Sequence, residues 1–345
     1  MANSSSVIAQ LNYLSLQVNR YLPIPLFILG SIGSTLNVLI FTRKSLKTNS
    51  CTKYFLASTT ANFFVIYFVI LLRILSDGYG IDPSIYSNEF CKIRYYITYT
   101  ARSLSSWFIV LACVDRFASS CQTAKYRKFS TVPIAYFSIA TATLLGFLSY
   151  LHVPLLFGVQ YTTNGIPSCY ALTGPYRIFA DLFYTVCYAA VPPIIMITFG
   201  ILIVLNIKNT HRQITPAMST GVIGNRRKDH HFMIMLLFQV GTIFVFTMPI
   251  AIQKLYDTFT LNLPKSDLTR AQDNFALQLV RVLSYFGHCC SFYLFTWCGR
   301  TFRNELLKII DATFTRIYGA DNHRYLARHP VELKARMSRT MNELY

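Results

Sequence analysis

Long apolar runs recur seven times along the chain, at roughly 23–42, 54–75, 92–114, 133–154, 178–206, 231–253 and 275–298. Each is about 20 residues or more, enough for a helix to cross a hydrocarbon layer. The stretches between them are polar or carry Pro and Gly, as in Asp77-Gly78-Tyr79-Gly80 and Asn164-Gly165-Ile166-Pro167. No soluble insert and no repeat interrupts the pattern. It predicts an all-α membrane protein, a seven-transmembrane helix bundle over 23–298. Residues 1–22 read as a polar extracellular N-terminus and 318–345 as a hydrophilic cytoplasmic tail. Between them, over 299–317, Phe302, Leu306, Leu307, Ile310 and Phe314 recur at helical intervals opposite Arg303, Asn304, Lys308 and Asp311. That alternation predicts a short amphipathic eighth helix lying in the membrane interface.

Composition supports the bilayer reading. Hydrophobic residues make up 53% and charged residues 13% of 345, about half the charged share of a soluble domain. The net charge of +18 would point to nucleic acid in a soluble protein. Here the bases lie between the apolar runs, so no nucleic-acid partner is expected. The loops after runs one, three and five hold thirteen Lys and Arg, whereas the N-terminus and the other three loops hold six. The positive-inside rule then places the N-terminus outside and the C-terminus inside, in the plasma membrane. Asn3 heads an Asn-Ser-Ser glycosylation triplet on the outer side. No charged start with a short apolar core and a small-residue cleavage site is visible, so no cleaved signal peptide is expected.

Cysteine positions sharpen the topology. Of nine, only Cys91 and Cys169 reach the oxidising exterior, which predicts a disulfide between them, the alternative being two unpaired thiols. Such a bond ties the start of span three to the loop that follows span four.

In this frame Asp115-Arg116-Phe117 stands at the inner end of span three, 25 residues and about 37 Å of helix beyond Cys91. Asn37 in span one, Pro249 in span six, Pro192 or Pro193 in span five and Phe302-Arg303 after span seven complete an ordered set. Over about residues 23–312 this set resembles the rhodopsin-like (class A) G protein-coupled receptors. The resemblance implies that Arg116 is held by Asp115 in a closed state and freed to meet a heterotrimeric G protein. Departures are equally specific. Asn62 stands where the family has an Asp, so reduced sodium sensitivity is expected. Phe246-Thr247-Met248-Pro249 lacks the family's Trp, and Ser291-Phe292-Tyr293-Leu294-Phe295 replaces Asn-Pro-x-x-Tyr.

Ionisable residues at membrane depth are rare and point to function. Arg73, Arg102 and Arg281 all fall in the outer half of a span, and Arg102 lies about 16 Å down helix three from Cys91. Tyr95, Thr98, Tyr99 and Arg102 share a face of that helix. Gln278, Arg281, Tyr285 and His288 form a second stripe on span seven, and Gln253 lies one turn beyond Pro249. These residues are the candidate ligand-binding set. The blander account is internal pairing, for example of Arg102 with Asp181, or snorkelling of Arg73 and Arg281 to the outer surface. Resemblance also argues from absence: amine receptors carry an Asp at the Thr98 position, and opsins a Lys in span seven, and this chain has neither. The expectation is a receptor for an extracellular small peptide or a molecule bearing an anionic group, with a lean towards neuropeptides. A transporter or channel for a small anionic solute is the alternative. No Gly-x-Ser-x-Gly elbow or metal-spaced His/Cys/Asp set appears in the spans, so neither an enzyme nor a cofactor nor a metal site is expected.

Overall fold

The computed structural model describes residues 2–121, 123–161, 167–212, 220–260 and 263–318. Two units separate along the chain, Met1–Gly299 and Arg300–Tyr345. In the first unit six helices are long and apolar enough to cross a membrane: Ser4–Phe41, Ser50–Gly78, Asn88–Ser120, Val132–Leu156, Pro175–Lys208 and His231–Phe259. They are spans one to six. A seventh helix, Asp267–Cys289, continues after a break at Cys290 as Ser291–Cys298. Its charged and amide residues keep it below the apolar threshold that the others pass.

Many exposed apolar side chains lie on the spans. Leu144, Leu145 and Leu148 of span four are more than half exposed, in a helix with almost no buried residues of its own. Among the described residues, two of the buried apolar clusters frame the outer half of the bundle. One joins Leu26, Ile66, Ile70, Ala101, Val282 and Tyr285 where spans one, two, three and seven meet. The other is aromatic, with Tyr99, Tyr150, Phe157, Tyr184 and Tyr188 gathered between spans three, four and five.

Close approach fixes spans one and seven. A Cβ on Gly30 would lie 2.8 Å from Cys289 Sγ, and one on Gly33 would lie 3.0 Å from Phe292 Cβ. Small residues allow this contact, which in lipid must come from packing rather than from apolar burial. Asn37 Nδ2 adds a buried hydrogen bond to Ser291 Oγ at 3.1 Å. Its place in span one is therefore a seam to span seven.

Local widenings mark spans two and five. Span two is π-helical over Val65–Ile70 and Ile74–Gly78, and span five over Thr185–Ala190. In span five the cause is legible. The Val191 N–H turns to the Val186 carbonyl, and the next donor in line for Cys187 would be Pro192, which has none. The freed Cys187 carbonyl accepts from Trp107 Nε1 at 3.0 Å and Ser103 Oγ at 3.3 Å. A defect in one helix thereby becomes the joint to span three. Pro249 sits inside span six, as expected.

Two features depart from the expected loops. Residues Ala2–Tyr21 form a helix that runs into span one through Leu22, and Asn3 lies in its first turn. Arg20 Nε donates to the Gly78 carbonyl at 3.0 Å and its guanidinium covers the Tyr79 ring, while Val18 packs on the core shared with span seven. The segment after span four pairs Phe157–Tyr161 (β1) with Pro167–Ala171 (β2), antiparallel, with Val159 opposite Cys169. The expected disulfide Cys91–Cys169 is present and draws this hairpin onto the start of span three. Asn164 and Gly165 lie outside the described residues.

The second unit contains the helix Arg300–Tyr318, in which Glu305 and Lys308 pair at 2.7 Å. Phe302 is buried and Ile310 exposed along it. The tail expected over 318–345 falls almost wholly outside the described residues.

Gly30→Leu should lower the melting temperature of the detergent-solubilised protein by several degrees, since its Cβ alone would meet Cys289 Sγ at 2.8 Å, Ile66 Cδ1 at 3.1 Å and Cys289 Cβ at 3.2 Å. A native-like melting curve would show that the span one–seven contact is looser than described.

Candidate functional site

At the disulfide end of the bundle a cavity of about 600 Å³ opens between β2, the starts of spans five and seven and the end of span six. Its wall carries five bases, Arg177, Lys254, Lys265, Arg270 and Arg281, against two acids, Asp181 and Asp257. Some bases are matched. Lys254 Nζ lies 3.0 Å from Asp181 Oδ1 and 2.8 Å from the Tyr170 hydroxyl, which itself donates to Asp181. Lys265 pairs with Asp273, a hydrogen bond that raises the pKa of its ammonium above the ordinary lysine value. Burial pushes the Tyr170 phenol up despite the opposing pull of the Lys254 charge, so it stays a neutral donor. Among the described residues Arg177 and Arg270 have no carboxylate partner. Arg177 instead lies over the Tyr170 ring, 5.2 Å from its centroid and within cation–π reach.

Of the candidate ligand residues, only Arg281 lines this cavity. Tyr95 and Tyr99 pack beneath the hairpin, Tyr95 against Phe157 and Tyr170, and Tyr99 stacked on Tyr184 at 4.3 Å. Thr98 bonds back to the Arg94 carbonyl, a turn behind it. Gln253 donates to Asp257, and Gln278 accepts from Arg281. Tyr285 is 1% exposed in the core. Helical spacing predicts shared faces correctly, but a face buried in the bundle and a face open to a cavity carry the same pattern. Tyr170, Lys254 and Asp257 line the cavity and were not on the candidate list; nothing in their local sequence separates them from ordinary loop and helix-end residues.

Internal pairing holds for two of the arginines, through a carboxylate other than Asp181. Arg73 pairs with Asp77, four residues on, at 2.9 Å, and Arg281 reaches the same carboxylate at 3.4 Å. Asp77, read from the sequence as part of a loop, is the last turn of span two and bridges it to span seven. The Arg-x-x-x-Asp spacing could have revealed it. Arg102 does not pair with Asp181. It is 4% exposed, donates to Ser284 Oγ of span seven, and lies 4.8 Å from the Tyr188 ring centroid and 5.6 Å from that of Tyr285. Two desolvated rings supply roughly 2 kcal/mol each, which offsets part of the several kcal/mol that a charge at this depth costs.

Below Arg102 a buried chain of hydrogen bonds crosses the bundle. Ser105 Oγ donates to Asn62 Oδ1 at 2.6 Å, His288 Nδ1 meets the same oxygen at 2.9 Å, and His288 Nε2 meets the Tyr188 hydroxyl at 3.1 Å. Donating at one ring nitrogen and accepting at the other is the pattern of a neutral imidazole. Asn62 is thus saturated by protein donors.

At the opposite end Asp115 and Arg116 are both buried and joined at 2.6 Å. Ser50, at the start of span two, donates to Asp115 Oδ2 at 2.9 Å and accepts from Arg116 Nη2 at 3.0 Å. Ser130, just before span four, lies 3.3 Å from the same guanidinium nitrogen. The pair is therefore clasped between spans two, three and four.

The model of the family described as 7 transmembrane receptor (rhodopsin family) matches residues 34–291. The chain belongs to this family. No curated protein matches it. As a member it is a multi-pass membrane receptor, and the match runs through the seventh helix to Ser291.

Asp77→Asn should destabilise the detergent-solubilised receptor by about 1–3 kcal/mol, because two guanidiniums lose their shared carboxylate. An unchanged melting curve would remove Asp77 as the span two–seven bridge. Replacing sodium by choline at constant chloride should leave the melting temperature unchanged, and a sodium-specific rise would show that Asn62 still serves a cation.

Proposed function

We propose that this receptor binds an extracellular small peptide bearing an acidic group in the cavity at the disulfide end and activates a heterotrimeric G protein at the Asp115–Arg116 end. The observation that carries the ligand class is the excess of bases in the cavity wall, with Arg177 and Arg270 lacking carboxylate partners among the described residues. A carboxylate from a side chain or a C-terminus satisfies such guanidiniums bidentately. A volume near 600 Å³ admits a few residues of peptide rather than a folded partner. The disulfide supports placing this end outside the cell, in the plasma membrane, and the bases of the short loops support the opposite end facing the cytoplasm.

Ligand and G protein select the same conformation from opposite ends, so the mechanism is a population shift. In the closed state Asp115, Ser50 and Ser130 occupy the Arg116 guanidinium. Opening releases a cation with five donors for carbonyl groups of the partner. Span seven connects the two ends: Arg281 lines the cavity, Ser284 holds Arg102, and His288 holds Asn62, each about one turn deeper.

Asp115→Asn should raise ligand-free nucleotide exchange severalfold, and Arg116→Ala should abolish stimulated exchange while surface expression persists. Equal basal rates for Asp115→Asn and the native receptor would end the lock account. A screen of peptides and metabolites with a promiscuous G protein should return ligands with an anionic group. Arg270→Ala should then weaken their potency about 10-fold or more, the loss of one charge-assisted hydrogen bond. Activators without an anionic group would contradict the ligand class.

A further inference from the structure

The cations at the disulfide half of the bundle are matched unevenly. Asp77 serves Arg73 and Arg281, and Asp181 serves Lys254. Arg102, deeper than any of these, has no carboxylate partner among the described residues. Its Nε–H, fully buried, has no hydrogen-bond acceptor, and neither does the buried hydroxyl of Tyr184. Both side chains are at least nine-tenths buried, at 4% and 5% exposed. Both contact the ring of Tyr188, which stacks on Tyr184 at 5.1 Å and lies 4.8 Å from the Arg102 guanidinium. The surrounding groups are aromatic faces, Ser284 and a neutral-pattern His288, none of which carries negative charge.

From this geometry we infer that Arg102 and Tyr184 hold a buried monovalent anion, chloride or a small carboxylate. A guanidinium N–H and a phenol O–H are both donors, and both are left over next to an uncompensated cation. A cation is repelled there, and a water molecule satisfies the donors without balancing the charge. An anion does both. The site lies beneath the cavity lined by Arg281, because Ser284, which holds Arg102, is three residues further along span seven. It also lies beside the Asn62–His288 chain, so an interior without the span-two carboxylate acquires the opposite charge preference. The inference does not depend on which ligand the cavity above takes.

Stability of the purified receptor in detergent reads this directly without an agonist. Sodium chloride, bromide and acetate are each titrated against sodium gluconate at constant ionic strength, and the melting temperature is followed. A saturable rise with chloride and bromide is expected; a saturable rise with acetate alone would support the same site with a carboxylate as its occupant. Tyr184→Phe keeps the stacked ring and removes one donor, so the half-effective concentration should increase about tenfold. Arg102→Gln should remove the response. The inference is overturned if no anion raises the melting temperature, or if Tyr184→Phe responds as the native protein does. The Tyr184→Phe result decides the matter even if Arg102→Gln fails to fold.

Discussion

Lipid solvates neither amides nor guanidiniums, and the seventh helix of this receptor is rich in both. Arg270, Asp273, Asn274, Gln278, Arg281, Ser284 and His288 all lie between Asp267 and Cys289. A segment of this kind crosses a bilayer only if its neighbours supply the partners that lipid cannot. The other helices do so at successive depths. Asp77 of span two meets Arg281, Arg102 of span three meets Ser284, Asn62 of span two meets His288, and Asn37 of span one meets Ser291 beyond the Cys290 break. Glycines at 30 and 33 let span one come close enough to seal the remaining face.

The same partners place the chemistry. A polar seam that must be complete to be stable is sensitive to any change in one of its members, and such a seam runs from the cavity wall at Arg281 to the middle of the bundle at Asn62. Beyond it, the Asp115–Arg116 pair is held by Ser50 at the start of span two and Ser130 just before span four. In the proposed switch, opening loosens the Ser50 and Ser130 contacts at these helix ends. The freed carbonyl of Cys187, caught by Trp107 and Ser103, fixes span five to span three at the level of the aromatic core.

Much of this was legible in the sequence where the signal is local. Apolar runs marked all seven crossings, with ends within a few residues for spans two to six, compartment chemistry gave the Cys91–Cys169 bond, and spacing placed Asp115-Arg116 at a helix end. The seventh was read at 275–298 as well, on a helix whose charged and amide residues make it the least apolar of the set. What local pattern could not supply was which polar faces meet. The stripe Tyr95–Tyr99–Arg102 looks the same whether it lines a cavity or a core, and the fold puts it in the core. The helix over Ala2–Tyr21 has no strong apolar face and is set by contacts with Gly78 and span seven, which a linear reading does not contain. The hairpin of β1 and β2 likewise depends on a disulfide and on Asn88, both distant in sequence.

Six crossings or seven is a question of parity, and it turns on whether the Asp267–Cys289 helix spans. Epitope tags placed before residue 2 and after residue 345 in intact and permeabilised cells measure it directly. Seven crossings predict that the first tag is stained in intact cells and the second only after permeabilisation. Staining of both tags in the same compartment would mean an even number of crossings, and the polar seam along span seven would then have no place in the membrane.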